Sequence, residues 1–249
     1  MLKLISLNIE LDKHYSRIID LLDRENPDVI ALQEVPKEFL NQIEDLGYKA
    51  TFTTRKQILD GKGKSFEEGL VLASKFPCET VVRSYFEVSH KTHLSSVPAT
   101  KRGVDTLEKY SYIMAKIKVG GEIFNIVTTH LIVTPDGLTN ELQTKVVTEL
   151  LQVIKNEESH MICGDFNMPR GYNGLYELFT KKYADQIPLK YKSSLDKNLH
   201  RCGNMQLEQP IFDEYMVDYL FTQPPYRARN VRLEFGVSDH AAVIAEIYK

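Results

Sequence analysis

Asp165 and Asn167 stand two residues apart, directly after the apolar run His160-Met161-Ile162-Cys163 and a glycine, Gly164. A short apolar run of this kind fits a buried strand. Side chains two apart on extended backbone share a face. A carboxylate and a carboxamide could therefore reach one centre, the first as acceptor or base, the second as donor or acceptor. Glycine, aspartate and asparagine are also turn residues. Taken alone, Gly164-Asp165-Phe166-Asn167 favours a turn.

The same placement recurs along the chain. The apolar run at the amino terminus closes on Asn8, and Asp28 to Leu32 is followed by Gln33-Glu34. The run Glu122 to Thr128 leads into Thr129-His130. Near the carboxyl end the order reverses, because Ser238-Asp239-His240 precedes the apolar segment from Ala241. A strand antiparallel to its neighbours begins where they end, so all these polar groups could gather along one edge of the sheets. Asp218 lies inside Val217-Asp218-Tyr219-Leu220-Phe221. A buried acid needs a partner, and a histidine such as His240 would supply one. Singly, each residue has an ordinary role as turn former, cap, core histidine or loop charge. Together they are the inventory of metal binding and acid–base chemistry.

The elements that must position them follow from periodicity. Strands are expected at Leu2 to Leu7, Asp28 to Leu32, Gly69 to Ala73, Tyr110 to Val119, Glu122 to Thr128, His160 to Cys163, Met216 to Phe221 and Ala241 to Ile247. Helical spacing links Tyr15, Ile18, Ile19 and Leu22, and also Leu138, Leu142, Val146, Leu150 and Ile154. Pro36 suits the first turn of a helix through Phe39, Leu40 and Ile43. Gly120-Gly121 between two strands signals a hairpin. Strand and helix alternate early, and consecutive strands follow. The result is a mixed α/β or α+β domain with partly antiparallel sheets. Three stretches read as long loops, Thr53 to Glu68, Glu87 to Lys109 and Tyr183 to Glu214. With no repeat, low-complexity tract or linker, 1–249 is one domain.

Composition narrows the classes. The 249 residues are 43% hydrophobic and 26% charged, ordinary for a globular protein with a substantial core. A net charge of −3 lacks the footprint of a tight, non-specific nucleic-acid binder. Polar residues at Asn8, Glu10 and Asp12 interrupt the amino terminus too early for a signal peptide, and no run is long enough to span a bilayer. Cys78, Cys163 and Cys202 offer neither a disulfide framework nor a cysteine zinc site. The simplest reading is a reduced, cytoplasmic compartment, with no membrane insertion and no obligate protein partner.

In order, Leu7-Asn8, Leu32-Gln33-Glu34, Thr128-Thr129-His130-Leu131, Gly164-Asp165-Phe166-Asn167, Val217-Asp218-Tyr219 and Ser238-Asp239-His240 resemble the endonuclease/exonuclease/phosphatase superfamily of DNase I-like, metal-dependent phosphohydrolases. The resemblance runs over essentially the whole chain. It implies a four-layer αββα sandwich, two mixed β-sheets face to face with helices outside. It also implies Mg²⁺ or Mn²⁺, which a carboxylate and carboxamide donor set favours. Glu34 would be the principal metal ligand, with Asn8 and Asp239 completing or supporting the shell. Asp165 would orient or deprotonate water, Asn167 would bind a phosphate oxygen, and His130 would touch the phosphate. His240 would contact phosphate or move a proton, held by Asp218. Whether Asp165 or His240 is the base stays open at this level. Glu10 reads as a solvated residue, with a second-metal contact as the alternative. Arg102 could touch substrate phosphate.

The expected activity is phosphodiester hydrolysis, with a nuclease first and a phosphatase or phosphodiesterase of a lipid or other small phosphoester second. A non-catalytic module of the same fold is remote, since the ligands are all present. Basic residues at Arg55-Lys56, Lys62, Lys64, Lys101-Arg102 and Arg227 to Arg229 fit a polyanion. Gly61-Lys62-Gly63-Lys64-Ser65 is a poor match to a phosphate-binding loop, because Ile58 replaces its first glycine. His90 and His93 read as loop histidines.

Overall fold

The computed structural model describes residues 1–59, 65–91, 105–134, 137–200 and 214–249. Strands β1 (Leu2–Asn8) and β2 (Val29–Pro36) are joined through helix α1 (Tyr15–Glu25) and pair in parallel. After a 3₁₀ turn and helix α2 (Leu40–Asp45) come β3 (Lys49–Leu59), β4 (Ser65–Ser74), β5 (Cys78–Lys91), β6 (Asp105–Val119) and β7 (Glu122–His130). Helix α3 (Glu141–Ile154) then carries the chain to β8 (Met161–Asp165), parallel to β7. Helix α4 (Tyr176–Thr180), the two-residue strand β9 (Ala184–Asp185), β10 (Asp218–Thr222), β11 (Arg227–Glu234) and β12 (Ala242–Tyr248) complete the described elements.

Two six-stranded mixed sheets result, ordered β11-β12-β1-β2-β4-β3 and β5-β6-β7-β8-β10-β9. They form the expected four-layer α+β sandwich. The period of two in β1, β2 and β4 builds it. Leu2, Leu4, Val29, Ala31, Leu70 and Leu72 face the second sheet, while Ile5, Leu7, Ile30, Leu32, Val71 and Ala73 pack with α1 and α2. On the second sheet, Val146, Val147, Leu150 and Ile154 of α3 are buried. This helix begins later than the spacing from Leu138 suggests. The side chain of Asn140 caps it by accepting from the Gln143 amide at 2.8 Å, leaving Leu138 exposed.

The Gly120-Gly121 hairpin forms, with both glycines at positive φ and Val119 paired to Glu122. Two expected loops do not survive. Most of Thr53 to Glu68 extends β3 and β4, and both ends of Glu87 to Lys109 lengthen β5 and β6. Both β3 and β5 are sheet edges, where one side meets water and the sequence is polar enough to hide the strand pattern. Similarly, Arg227 to Arg229 are not a loop but the start of edge strand β11. Pro36 ends β2 rather than starting a helix. From residue 183 to 200, only β9 interrupts the irregular backbone. Residues 60–64, 92–104, 135–136 and 201–213, including Lys62, Lys64, His93, Lys101, Arg102 and Cys202, lie outside the described residues. His90 lies in β5, opposite Thr106. Among the described residues, no helix is long and apolar enough to cross a membrane.

Candidate active site

The topology brings the strand ends together. Parallel β1 and β2 finish at Asn8 and just beyond Glu34, and parallel β7 and β8 finish at His130 and Asp165. Each pair is flanked by an antiparallel strand. Strand β10 starts at Asp218, opposite Asp165, and β12 starts just after His240 beside β1. Asn8 lies on the inward face of β1 and its Nδ2 donates to Asp165 Oδ2 at 3.1 Å, linking the two sheets.

Gly164 and Phe166 explain how the motif is held. Gly164 has φ +141°, and a Cβ there would stand 2.0 Å from the Thr129 carbonyl oxygen. Only glycine permits this approach of β8 to β7. Phe166 is fully buried, with edge-on contacts to Phe179 and Phe221, both at 5.1 Å. Anchoring Phe166 there directs its neighbours the opposite way. Asp165 Oδ1 accepts the Asn167 amide at 2.9 Å. Asn167, at φ +50°, donates through Nδ2 to the Leu131 carbonyl at 3.0 Å and more loosely to His130 Nε2 at 3.3 Å.

His240 Nδ1 donates to Asp218 Oδ2 at 2.7 Å, while its Nε2 lies 3.9 Å from Asp165 Oδ2. His130 Nε2 lies 3.4 Å from the same Asp165 oxygen. The two histidines differ in charge. Burial opposes the charge on His240, but Asp218 and Asp165 outweigh it and hold the ring well above the ordinary histidine range. Burial holds His130 well below that range, with Arg55 adding to the effect, so it is neutral. Asp165 is pushed up to about 7, first by burial and then by Asp218, against the pull of His240. Ser194 braces this corner from behind. Its Oγ accepts the amides of Val217 and Asp218 at 3.1 and 3.2 Å, and its carbonyl accepts from Ala241 at 2.7 Å.

Glu34, Asp239 and Glu10 form a second group. Strand β2 carries a register shift between Leu32 and Val35, and Glu34 within it has φ +55°. A bulge re-aims a side chain that strict alternation would send to the other face. Asp239 is pushed up to about 6, mainly by burial and further by Glu10 and Glu34. Glu10 is not solvated as expected. It is only 8% exposed, and it pairs with Lys13 and with His14 Nε2, the latter at 3.0 Å. Gln33 and Thr128, hydrogen-bonded across the sheets at 3.2 Å, are further buried polar residues below the site.

Sequence reasoning offered Arg55 to a polyanion and missed its acidic partners. Arg55 is buried, with Glu68 at 3.1 Å and Glu108 at 2.6 Å, and is not a free cation for a polyanion. Arg229, also offered to a polyanion, pairs with Glu246 at 2.8 Å. It stands beside the last residues of β12, at the opposite end of the sheet from Asn8. A cleft of about 590 Å³ bordered by Thr222, Tyr226 and Tyr248 lies at that opposite end too, away from the polar cluster.

The donor sets suit a hard cation. Asp165, Asp218 and His240 place ligand atoms within 4.8 Å of one another, close enough to share an ion. In that group, however, Asp218 and His240 Nδ1 already satisfy each other. Glu34 and Asp239 form an oxygen-only set whose mutual repulsion, together with Glu10, a divalent ion would relieve.

A sandwich of two mixed six-stranded sheets with this convergent edge defines the class of DNase I-like phosphoester hydrolases. The sequence matches the Endonuclease/Exonuclease/phosphatase family over residues 5–240, and the chain belongs to that family. No curated protein matches the sequence. Among solved structures, an endonuclease/exonuclease/phosphatase from Beutenbergia cavernae superposes with TM-score 0.70 at 17% identity, covering 99% of this chain and 71% of its own. The mannosyl-6-phosphatase Bt3783 of Bacteroides thetaiotaomicron superposes with TM-score 0.62 at 16% identity, covering 100% of both chains. TDP2 of D. rerio, complexed with a single-strand DNA product, gives TM-score 0.65 at 16% identity, covering 100% of this chain and 99% of its own.

Proposed function

We propose that this protein is a divalent-metal-dependent phosphodiester hydrolase that acts on nucleic acid. The observation that carries the chemistry is the position of Asp165, whose carboxylate meets Asn8, His130, Asn167 and His240 at the end of β8. Glu34, Asn8 and Asp239 would hold Mg²⁺ or Mn²⁺. When bound, the cation neutralises charge on the phosphate and acts as a Lewis acid.

The roles of the remaining groups follow from their charges. His240, kept cationic by Asp218, donates from Nε2 to a phosphate oxygen and stabilises the charge that develops there. It already carries its proton, so it does not serve as base. Asp165, poised near neutrality, accepts the proton of the attacking water. The second Nδ2 hydrogen of Asn167, held only by Nε2 of neutral His130 at 3.3 Å, is the adjustable donor for another phosphate oxygen.

A polynucleotide substrate is supported by a cleft of about 430 Å³ lined by Lys190, Tyr191, Lys192, Lys197 and the exposed Phe235. The loop that builds it is joined to the His240 loop by the Asp196 amide, which donates to the Asp239 carbonyl at 2.8 Å. Cations and rings side by side suit phosphates and stacked bases. A small phosphoester is the second reading. It is favoured by Arg55, which is neutralised in the interior, and by Arg229, which lies at the far end. The family neighbours include both kinds, one with a single-strand DNA product and one a mannosyl-6-phosphatase.

The test is Mg²⁺-dependent hydrolysis of bis-p-nitrophenyl phosphate, with Glu34→Ala and His240→Ala beside the wild type. It is followed by a panel of nucleic acids, lipid and sugar phosphates. Equal rates in all three proteins would sink the catalytic reading. Turnover of a small phosphoester without any nucleic-acid cleavage would replace the first substrate class by the second.

A further inference from the structure

Buried Arg55 and Glu68, with the less enclosed Glu34 and Glu108, form a charge cluster where β2, β3 and β4 meet β6 of the opposite sheet. Strand β2 bulges between Leu32 and Val35, and β3 bulges between Thr54 and Lys56. The two irregularities flank Gly69 of β4, the β2 bulge lying between the Val71 and Gly69 rungs and the β3 bulge between the Gly69 and Glu68 rungs, where Gly69 opposes Val35 and Thr54 and Glu68 opposes Pro36 and Lys56. Gly69 is required there, since a Cβ would stand 1.9 Å from the Thr53 carbonyl oxygen. The fold thus uses two bulges and a glycine to set Glu34 and Arg55 beside each other with Glu68 between their strands.

The distances inside the cluster are graded. Glu68 takes Arg55 in a two-pronged pair, Nε to Oε1 and Nη2 to Oε2, each at 3.1 Å. Glu108 from the opposite sheet accepts from Nη1 at 2.6 Å. Glu34 Oε1 lies 4.0 Å from Nη2, beyond hydrogen-bond reach. Lys56 Nζ lies 3.5 Å from Glu68 as well. Two acids therefore claim the guanidinium before Glu34 can.

We propose that Glu68 and Glu108 act as positioning residues that restrain Arg55, so that Arg55 orients Glu34 electrostatically without capturing it, and Glu34 stays open to a divalent cation. This rests on the reading of Glu34 as a metal ligand. An arginine only 4.0 Å away is otherwise an internal competitor for that carboxylate. A guanidinium prefers a carboxylate in direct, two-pronged contact. Without its present partners it would close on Glu34 and occupy the oxygens a cation needs.

The experiment is equilibrium Mn²⁺ binding, followed by electron paramagnetic resonance, which requires no turnover. Glu68→Gln keeps the shape but turns an amide N–H₂ toward Arg55. It is expected to weaken Mn²⁺ binding roughly 10- to 100-fold, the range seen when groups that orient metal ligands are altered. Glu108→Gln, at the less enclosed side of the cluster, is expected to act in the same direction. Removing the competitor as well, in Arg55→Met with Glu68→Leu, should recover much of the lost affinity. A merely structural role would predict the opposite, because two changes would bind worse than one. Glu34→Gln is the reference. If it leaves Mn²⁺ binding unchanged, Glu34 is not a ligand and the proposal falls with that reading. If Glu34→Gln weakens binding while Glu68→Gln and Glu108→Gln do not, the metal reading stands and the restraint of Arg55 is overturned.

Discussion

His240 stands just before β12 of one sheet and Asp218 begins β10 of the other, and the 2.7 Å bond from Nδ1 to Oδ2 joins them at the edge where those sheets meet. Asp218 directs Nε2 of His240 toward Asp165, and it keeps the ring charged in a buried setting. Asp218→Asn would preserve the shape and remove the charge. Burial would then act on His240 with less opposition and lower its pKa. The expected result is a fall in kcat of roughly 10²- to 10⁴-fold, as when the acid behind a catalytic histidine is made neutral. The loss should be deeper at alkaline pH than at pH near 6, because less of the ring stays protonated there. A pH–rate profile whose alkaline limb does not move would contradict this role.

Asp165 links acidity to stability. In the fold its carboxyl is pushed up to about 7, whereas an unfolded aspartate titrates at about 3.9. The fold therefore binds this proton more tightly than the unfolded chain does. Its contribution is full below the unfolded value and is lost as pH rises through the folded value. In the absence of divalent ions, Asp165→Asn should exceed the wild type in stability at pH 8 by roughly 1–3 kcal/mol. The advantage should shrink as pH falls toward 5. Urea melts at the two pH values measure it, and a constant difference would argue against a buried carboxylate.

Cation binding should appear in melting temperature. A ligand at about 100 times its dissociation constant stabilises by about 2.7 kcal/mol. Mg²⁺ or Mn²⁺ should raise the melting point of the wild type, and a chelator should reverse the rise. Glu34→Ala should fold normally, because the Glu34 side chain is 27% exposed, yet show little response to either ion. A normal response in Glu34→Ala would move the cation to Asp165, Asp218 and His240.

Gly164→Ala tests the strand junction independently of chemistry. The added Cβ meets the Thr129 carbonyl at 2.0 Å, and φ of +141° is strained for any other residue. A loss of about 3–5 kcal/mol is expected, enough to abolish folding in a marginal domain. A variant that expresses and melts like the wild type would show that β7 and β8 can separate without cost.

Much of this protein was legible because a short motif and a buried strand are both local. The pattern through His160 to Asn167 fixes strand, glycine and paired polar groups by alternation alone, and the order of motifs from Asn8 to His240 implies the sandwich. Edge strands β3, β5 and β11 were hidden, because an edge is defined by which neighbour is missing, and that is a property of the assembled sheet. For the same reason Arg55 and Arg229 looked like free cations. Their acidic partners, Glu68, Glu108 and Glu246, lie 13, 53 and 17 residues away in the chain.

The sequence by itself determined which residue types stand at the ends of the strands, and hence that carboxylates, carboxamides and histidines could meet a phosphate. Only the tertiary structure decided how they divide the work. Asp165 and Asp218 are both acids beside apolar strand residues. Asp218 forms the 2.7 Å bond to His240, whereas Asp165 lies 3.9 Å from that ring, too far for its pull to cancel the effect of burial. Charge state depends on distance and on exclusion of water, and neither quantity exists until the two sheets close on each other.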